Sequence, residues 1–93
     1  MELQTEVWTP EKGFIHCIFR RMHWHGAIVV SVEMWKSSKV GDLDNDFTTF
    51  RAGVYMQLQG EEYKIIQPRS NPYSNSFWQH LERQLSNTIL VNE

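Results

Sequence analysis

The side chains of this 93-residue chain best suited to chemistry are three histidines and one cysteine set close together: His16, Cys17, His23 and His25. Zinc takes imidazole and thiolate in a tetrahedron at about 2.0–2.3 Å, and His23 and His25 share one side of an extended chain. The setting works against a metal. His16 and Cys17 are neighbours on a strand and point to opposite faces, and both lie several residues, each of about 3.3 Å rise, from His23. The same alternation deprives a Cys17 nucleophile of the adjacent base and the exposed, electropositive surroundings it needs. Asp42-Leu-Asp-Asn-Asp46 opens with the rhythm of a calcium loop. Phe47 then stands where the sharp turn needs glycine, and Gly53 where a bidentate glutamate belongs, so these residues are expected to cap backbone groups. Glu61-Glu62 is assigned to a hairpin tip, where carboxylates are solvated. No nucleophile elbow, phosphate-cradling glycine loop or dinucleotide fingerprint occurs. The expectation is a non-catalytic protein with no metal and no cofactor.

Rings are the other resource. Phe, Trp and Tyr make 13% of the chain, enough to matter in a small core or at an interface, where large rings bury the most area. Arg20, Arg21, Lys36, Lys39 and Arg51 put local positive charge among them, as in surfaces that bind single-stranded nucleic acid. A net charge of −2 weighs against a domain held by phosphates. Trp8-Thr-Pro-Glu-Lys-Gly-Phe-Ile15 resembles the first RNA-binding strand of cold-shock domains, where a Trp precedes a Lys-Gly-aromatic run. The likeness covers eight residues. It departs at Ile15-His-Cys, and no second aromatic-His strand motif follows, so no family is assigned from it.

These residues must be positioned by a thin core. Residues 1–93 suit one compact domain, and a chain this short buries roughly 60–65% of the surface it exposes when unfolded. No apolar run approaches the ~20 residues that span a bilayer, and Met1-Glu-Leu-Gln lacks the opening of a signal peptide. A single cysteine forms no internal disulfide. A cytoplasmic protein without membrane attachment is expected.

Ala27 to Lys36 reads most clearly as the middle of a sheet, because Ile28, Val30, Val32 and Met34 recur with period two. Leu3, Thr5 and Val7 mark an earlier strand, ended by the Pro and Gly of Thr9-Pro-Glu-Lys-Gly13. Gly13 to Arg21 forms the next, with Ile15, Cys17 and Phe19 on one side. A register with Trp8 opposite Phe14 sets Val7 by Ile15 and Leu3 by Phe19. A four-residue loop over Met22–His25 sets Phe19 by Ile28, Cys17 by Val30 and Ile15 by Val32. Ser37 to Asp46 is the longest expected loop. Phe50, Ala52, Val54, Met56 and Leu58 then alternate, and Gly60-Glu61 fits a two-residue turn with glycine first, setting Leu58 opposite Tyr63 and Met56 opposite Ile65. Pro68 ends that strand, and residues 69–75 connect to a helix. Ser76 with Gln79 resembles a capping box, and Trp78, Leu81, Leu85 and Ile89 recur at helical spacing.

The expected fold is α+β: an antiparallel sheet of about five strands, a meander plus a hairpin, with one C-terminal helix on one face. A small curled barrel of the same elements is the alternative. One helix covers one face. The other keeps Trp8, Phe14, Ile18, Val29, Trp35 and Tyr55, interleaved with His16, Arg20, Glu33 and Arg51. The functional expectation is a protein-interaction or regulatory module. Trp8, Phe14, Ile18, Trp35 and Tyr55, with Trp24 at a loop tip, meet a protein partner or a second copy in a homodimer. The alternative is a single-strand nucleic-acid binder using Phe14, His16, Arg20, Trp35, Arg51 and Tyr55.

Overall fold

The computed structural model describes residues 2–37, 48–66 and 73–93. Pro68, most of the connector after it, Lys39, the Asp42–Asp46 segment and all but Ser37 of the expected long loop lie outside the described residues. Five strands, β1 (Glu2–Thr9), β2 (Gly13–Trp24), β3 (Ala27–Ser37), β4 (Thr48–Gln59) and β5 (Glu62–Ile65), precede one helix, α1 (Asn75–Val91). The strands lie in chain order β1-β2-β3-β4-β5, each antiparallel to the next, so the sheet is one continuous meander. It curls into a half-barrel. The helix lies along the open side and packs against both edge strands, β1 and β5.

Two of the expected registers hold. Trp8 pairs with Phe14, Val7 with Ile15 and Leu3 with Phe19, while Leu58 pairs with Tyr63 and Met56 with Ile65. Gly60 has φ 70° and Glu61 has no positive φ, as a turn with glycine first requires. In the first turn the Thr9 hydroxyl donates to the Gly13 carbonyl at 2.9 Å and accepts from the Lys12 N–H at 3.1 Å.

The β2–β3 hairpin differs from expectation. Met22, His23 and Trp24 are not loop but strand, and the turn is His25-Gly26 alone, with φ 50° and 81°. Positive φ at both central residues is the tight turn whose twist matches the strands it joins, and histidine enters that region more readily than most residues. Phe19 therefore faces Val32 rather than Ile28, and Cys17 faces Met34 rather than Val30. The partners move but the faces do not, because the shift is an even number of residues.

The core fills the hollow of the sheet: Ile15, Cys17, Phe19, Val30, Val32, Met34, Val54 and Met56 are buried against Phe77, Trp78, Leu81, Leu85 and Ile89 of α1. The helix starts before the expected box. Ser74 is the N-cap, its Oγ accepting from the Phe77 N–H at 3.1 Å. Two residues that the alternation places on the inner face lie outside the core: Ile28 and Leu58 are 53% and 49% exposed. The 17 residues of α1 extend about 25 Å, whereas the 12 residues of β2 and of β4 extend about 40 Å, so these strands overrun the helix. That end is bounded by Glu93, whose carboxylate meets Arg21 of β2 and accepts from the Tyr63 hydroxyl of β5. Burial, and then this bond, raise the Tyr63 phenol above its usual value.

On its free side β5 is closed by helix side chains. Ser86 Oγ accepts from the Tyr63 N–H and Glu82 Oε2 from the Ile65 N–H, both at 2.8 Å. An edge strand so capped is a poor template for another chain.

Candidate functional site: the outer face of the sheet

Alternation along each strand sends the second set of side chains outward, away from α1. Four of the expected contact residues gather there. Phe14 is 59% exposed at the start of β2, directly across from Trp8 on β1, which is 44% exposed. Trp35 of β3 pairs with His16 of β2, ring centroids 4.9 Å apart, so His16 has a ring for a neighbour. Ile18 follows on β2, half-buried between these rings and the far end of the face.

The face is less open than counting implies. Trp24 is not at a loop tip: it is the last residue of β2, paired with Ala27, and its ring stacks on Tyr55 of β4 with centroids 5.5 Å apart and planes at 24°. Tyr55 pairs with Ser31, so the stack crosses β3 between Ala27 and Ser31, over Val29. Val29 is completely buried in consequence, although it belongs to the outer face. His25 adds an edge contact to Trp24 at 4.5 Å. Trp8 also departs from expectation. Its ring meets His80 of α1 edge-on at 5.7 Å, so part of it reaches past the β1 edge to the helix while 44% of the residue stays exposed.

Charges on this face are largely paired. Arg20 Nε lies 3.2 Å from Glu2, and its Nη1 lies 3.8 Å from Glu33. Arg51 is exposed opposite Trp35. Lys36 turns away, donating to the Lys12 carbonyl at 2.8 Å, and Lys12 stands 5.3 Å over the Tyr73 ring.

The residues of the metal and nucleophile readings are dispersed. His16 lies on the outer face against Trp35, Cys17 points into the core, His23 pairs with Ile28 and His25 sits in the turn. Among the described residues no three His, Cys, Asp or Glu side chains come close enough to share a metal ion. Burial, and then the charge of Glu6, push the Cys17 thiol up to about 12, far from the thiolate a nucleophile needs.

Sequence reasoning missed two residues of this region, His80 and Gly53. Helical spacing gave no reason to link His80 with Trp8. Gly53 carried a visible signal, a glycine in the middle of a strand, where the residue is disfavoured unless something must approach. Comparison with protein-family models, with characterised proteins and with solved structures yields no match. Among the described residues no helix is long and apolar enough to cross a membrane.

Proposed function

We propose that this chain is a small non-catalytic interaction module whose outer sheet face docks a protein, either a partner or a second copy. The observation that carries this reading is the Phe14–Trp8 pair: two large aromatic residues at paired positions on adjacent strands, each about half exposed, the Trp8 ring reaching on one side to His80. Leaving such rings in water forgoes roughly 1.5–3 kcal/mol of burial for a Phe-sized side chain, which docking recovers. Trp35, His16 and Ile18 continue the surface across β2 and β3, supplying the aromatic content typical of the centre of an interface.

Single-stranded nucleic acid draws less support from the same face. Arg20, one of two arginines on this face among the described residues, is held between two carboxylates, Glu2 and Glu33, and presents little free charge to a phosphate, which leaves Arg51 alone for that role. The thiol of Cys17, buried and protonated, supports the non-catalytic part of the reading.

The test is sedimentation of the full chain over a range of concentrations, together with retention of partners by the tagged chain from host extract. Self-association or a retained protein, abolished by Phe14→Ser with the fold intact, is the expected result. A strict monomer that retains no protein contradicts the reading. Oligonucleotide binding that weakens steeply with salt transfers it to the nucleic-acid class.

A further inference from the structure

Near the middle of the outer face lies a hollow of about 250 Å³, lined by Ser31, Glu33, Gly53 and Tyr55 and by the backbone of Val32 and Val54. Its cause is one missing side chain. Gly53 stands in the interior of β4, across from Glu33, and its φ is not positive. A Cβ built there meets only the Val32 carbonyl oxygen, at 3.8 Å, an ordinary contact. Neither the backbone nor the packing requires glycine here, and strand propensity argues against it. What the glycine does is keep a space open between the Tyr55 ring and the Glu33 carboxylate.

The ring of the lining is already fixed: Tyr55 is held by its stack on Trp24. Tyr55 pairs with Ser31 and Gly53 with Glu33, so the carboxylate stands two residues or about 7 Å along β3 from the level of the ring. Glu33 is the one carboxylate of the lining, and it is half exposed. Its ion-pair partner Arg20 stands at 3.8 Å and sits closer to Glu2, at 3.2 Å, so Glu33 holds the weaker share of that cation. Arg51, one pleat along β4 on the same face, forms no ion pair among the described residues. A floor without a side chain, an aromatic ring on one side and an under-paired carboxylate complement one kind of guest. That guest is a flexible apolar stem ending in a cation.

We infer that the hollow over Gly53 seats a lysine or arginine side chain of the docking protein, its stem over the glycine and its charged end on Glu33. The inference rests on the reading of the outer face as a protein-docking surface and names the chemistry that surface selects. The probes are N-acetyl-arginine amide and, as its uncharged counterpart, N-acetyl-norleucine amide, titrated into the ¹⁵N-labelled chain. Saturable shifts are expected at the amides of Glu33, Gly53 and Tyr55, with the arginine probe tighter than norleucine by roughly threefold to tenfold. Glu33→Gln removes that preference. Gly53→Val abolishes the shifts while its melting temperature stays within about 5 °C of the parent or rises.

Absence of saturable shifts, equal binding of norleucine, or unchanged binding by Gly53→Val overturns the inference. If Gly53→Val fails to fold, Glu33→Gln on the surface still decides it. The two readings fail separately. Association that depends on Phe14 in a chain that ignores the arginine probe keeps the docking surface and overturns the basic guest. A seated arginine probe in a chain that never associates keeps the hollow and removes the docking surface.

Discussion

Phe19 and Phe14 stand on the same strand, on opposite faces of the same sheet, and their surroundings have almost nothing in common. Phe19 is completely buried in the core that includes the inner residues of α1, whereas Phe14 is 59% exposed across from a tryptophan. Both faces are rich in large apolar groups; only one has a helix. The inner face satisfies its side chains by closing the half-barrel around Leu81, Leu85 and Ile89. The outer face satisfies some of its rings with one another, Trp24 on Tyr55 and His16 against Trp35, and leaves others in water. Ring content alone therefore does not decide whether a residue holds the fold or is free to bind. What decides is whether an element of the same chain reaches it.

The contrast is sharpest in stability. Phe19→Ala is expected to cost about 3–5 kcal/mol in denaturant unfolding, from lost burial and the cavity left behind. Phe14→Ala is expected to cost less than about 1 kcal/mol, and equal costs would erase the distinction between the faces. A second break lies in pH. The Cys17 thiol is raised by burial from its ordinary 9.0 to about 12, so the folded chain holds this proton more tightly than the unfolded one. That contribution is fully present below pH 9 and is lost as pH rises toward 12, at up to about 1.4 kcal/mol per pH unit. Cys17→Val should flatten the fall seen in unfolding curves taken across this window.

Ser86→Ala removes the acceptor that caps the buried Tyr63 N–H and should cost about 1–3 kcal/mol. Exchange of that amide should accelerate with it, and an unchanged rate would mean that the helix does not guard the β5 edge. On the outer face, a double-mutant cycle of Trp24→Ala with Tyr55→Ala should return a coupling of about 0.5–1.5 kcal/mol. Zero coupling would mean that the rings do not cover Val29 as a pair. Gly53→Val is the smallest effect, near zero or slightly stabilising.

Much of the fold was legible because period two and period 3.6 are strong signals. The buried line Trp78, Leu81, Leu85, Ile89 and the pairings of Val7 with Ile15 and Met56 with Ile65 follow from them directly. Period two, however, defines register only to within an even shift. A loop over Met22–His25 and a turn at His25-Gly26 put Cys17, Phe19, Val30 and Val32 on the same face, and hydrophobic pattern cannot separate them. Positive φ at a histidine decided the matter, and the usual Asn-Gly signature of that turn was absent. Ring-to-ring contacts across strands depend on that register, so the Trp24–Tyr55 stack stayed hidden, and with it the burial of Val29. Ile28 and Leu58 were misplaced for a simpler reason: they satisfy the inner-face alternation but lie past the reach of the helix.

The central claim is that Phe14 and its neighbours serve contact with another protein rather than the fold. Sedimentation and partner retention by the parent chain and by Phe14→Ser, each shown to unfold at nearly the same denaturant concentration, test it most directly. The account predicts that the parent associates or holds a partner and that Phe14→Ser, equally folded, does neither. A variant that associates as well as the parent, or that loses association only because it has unfolded, would contradict it.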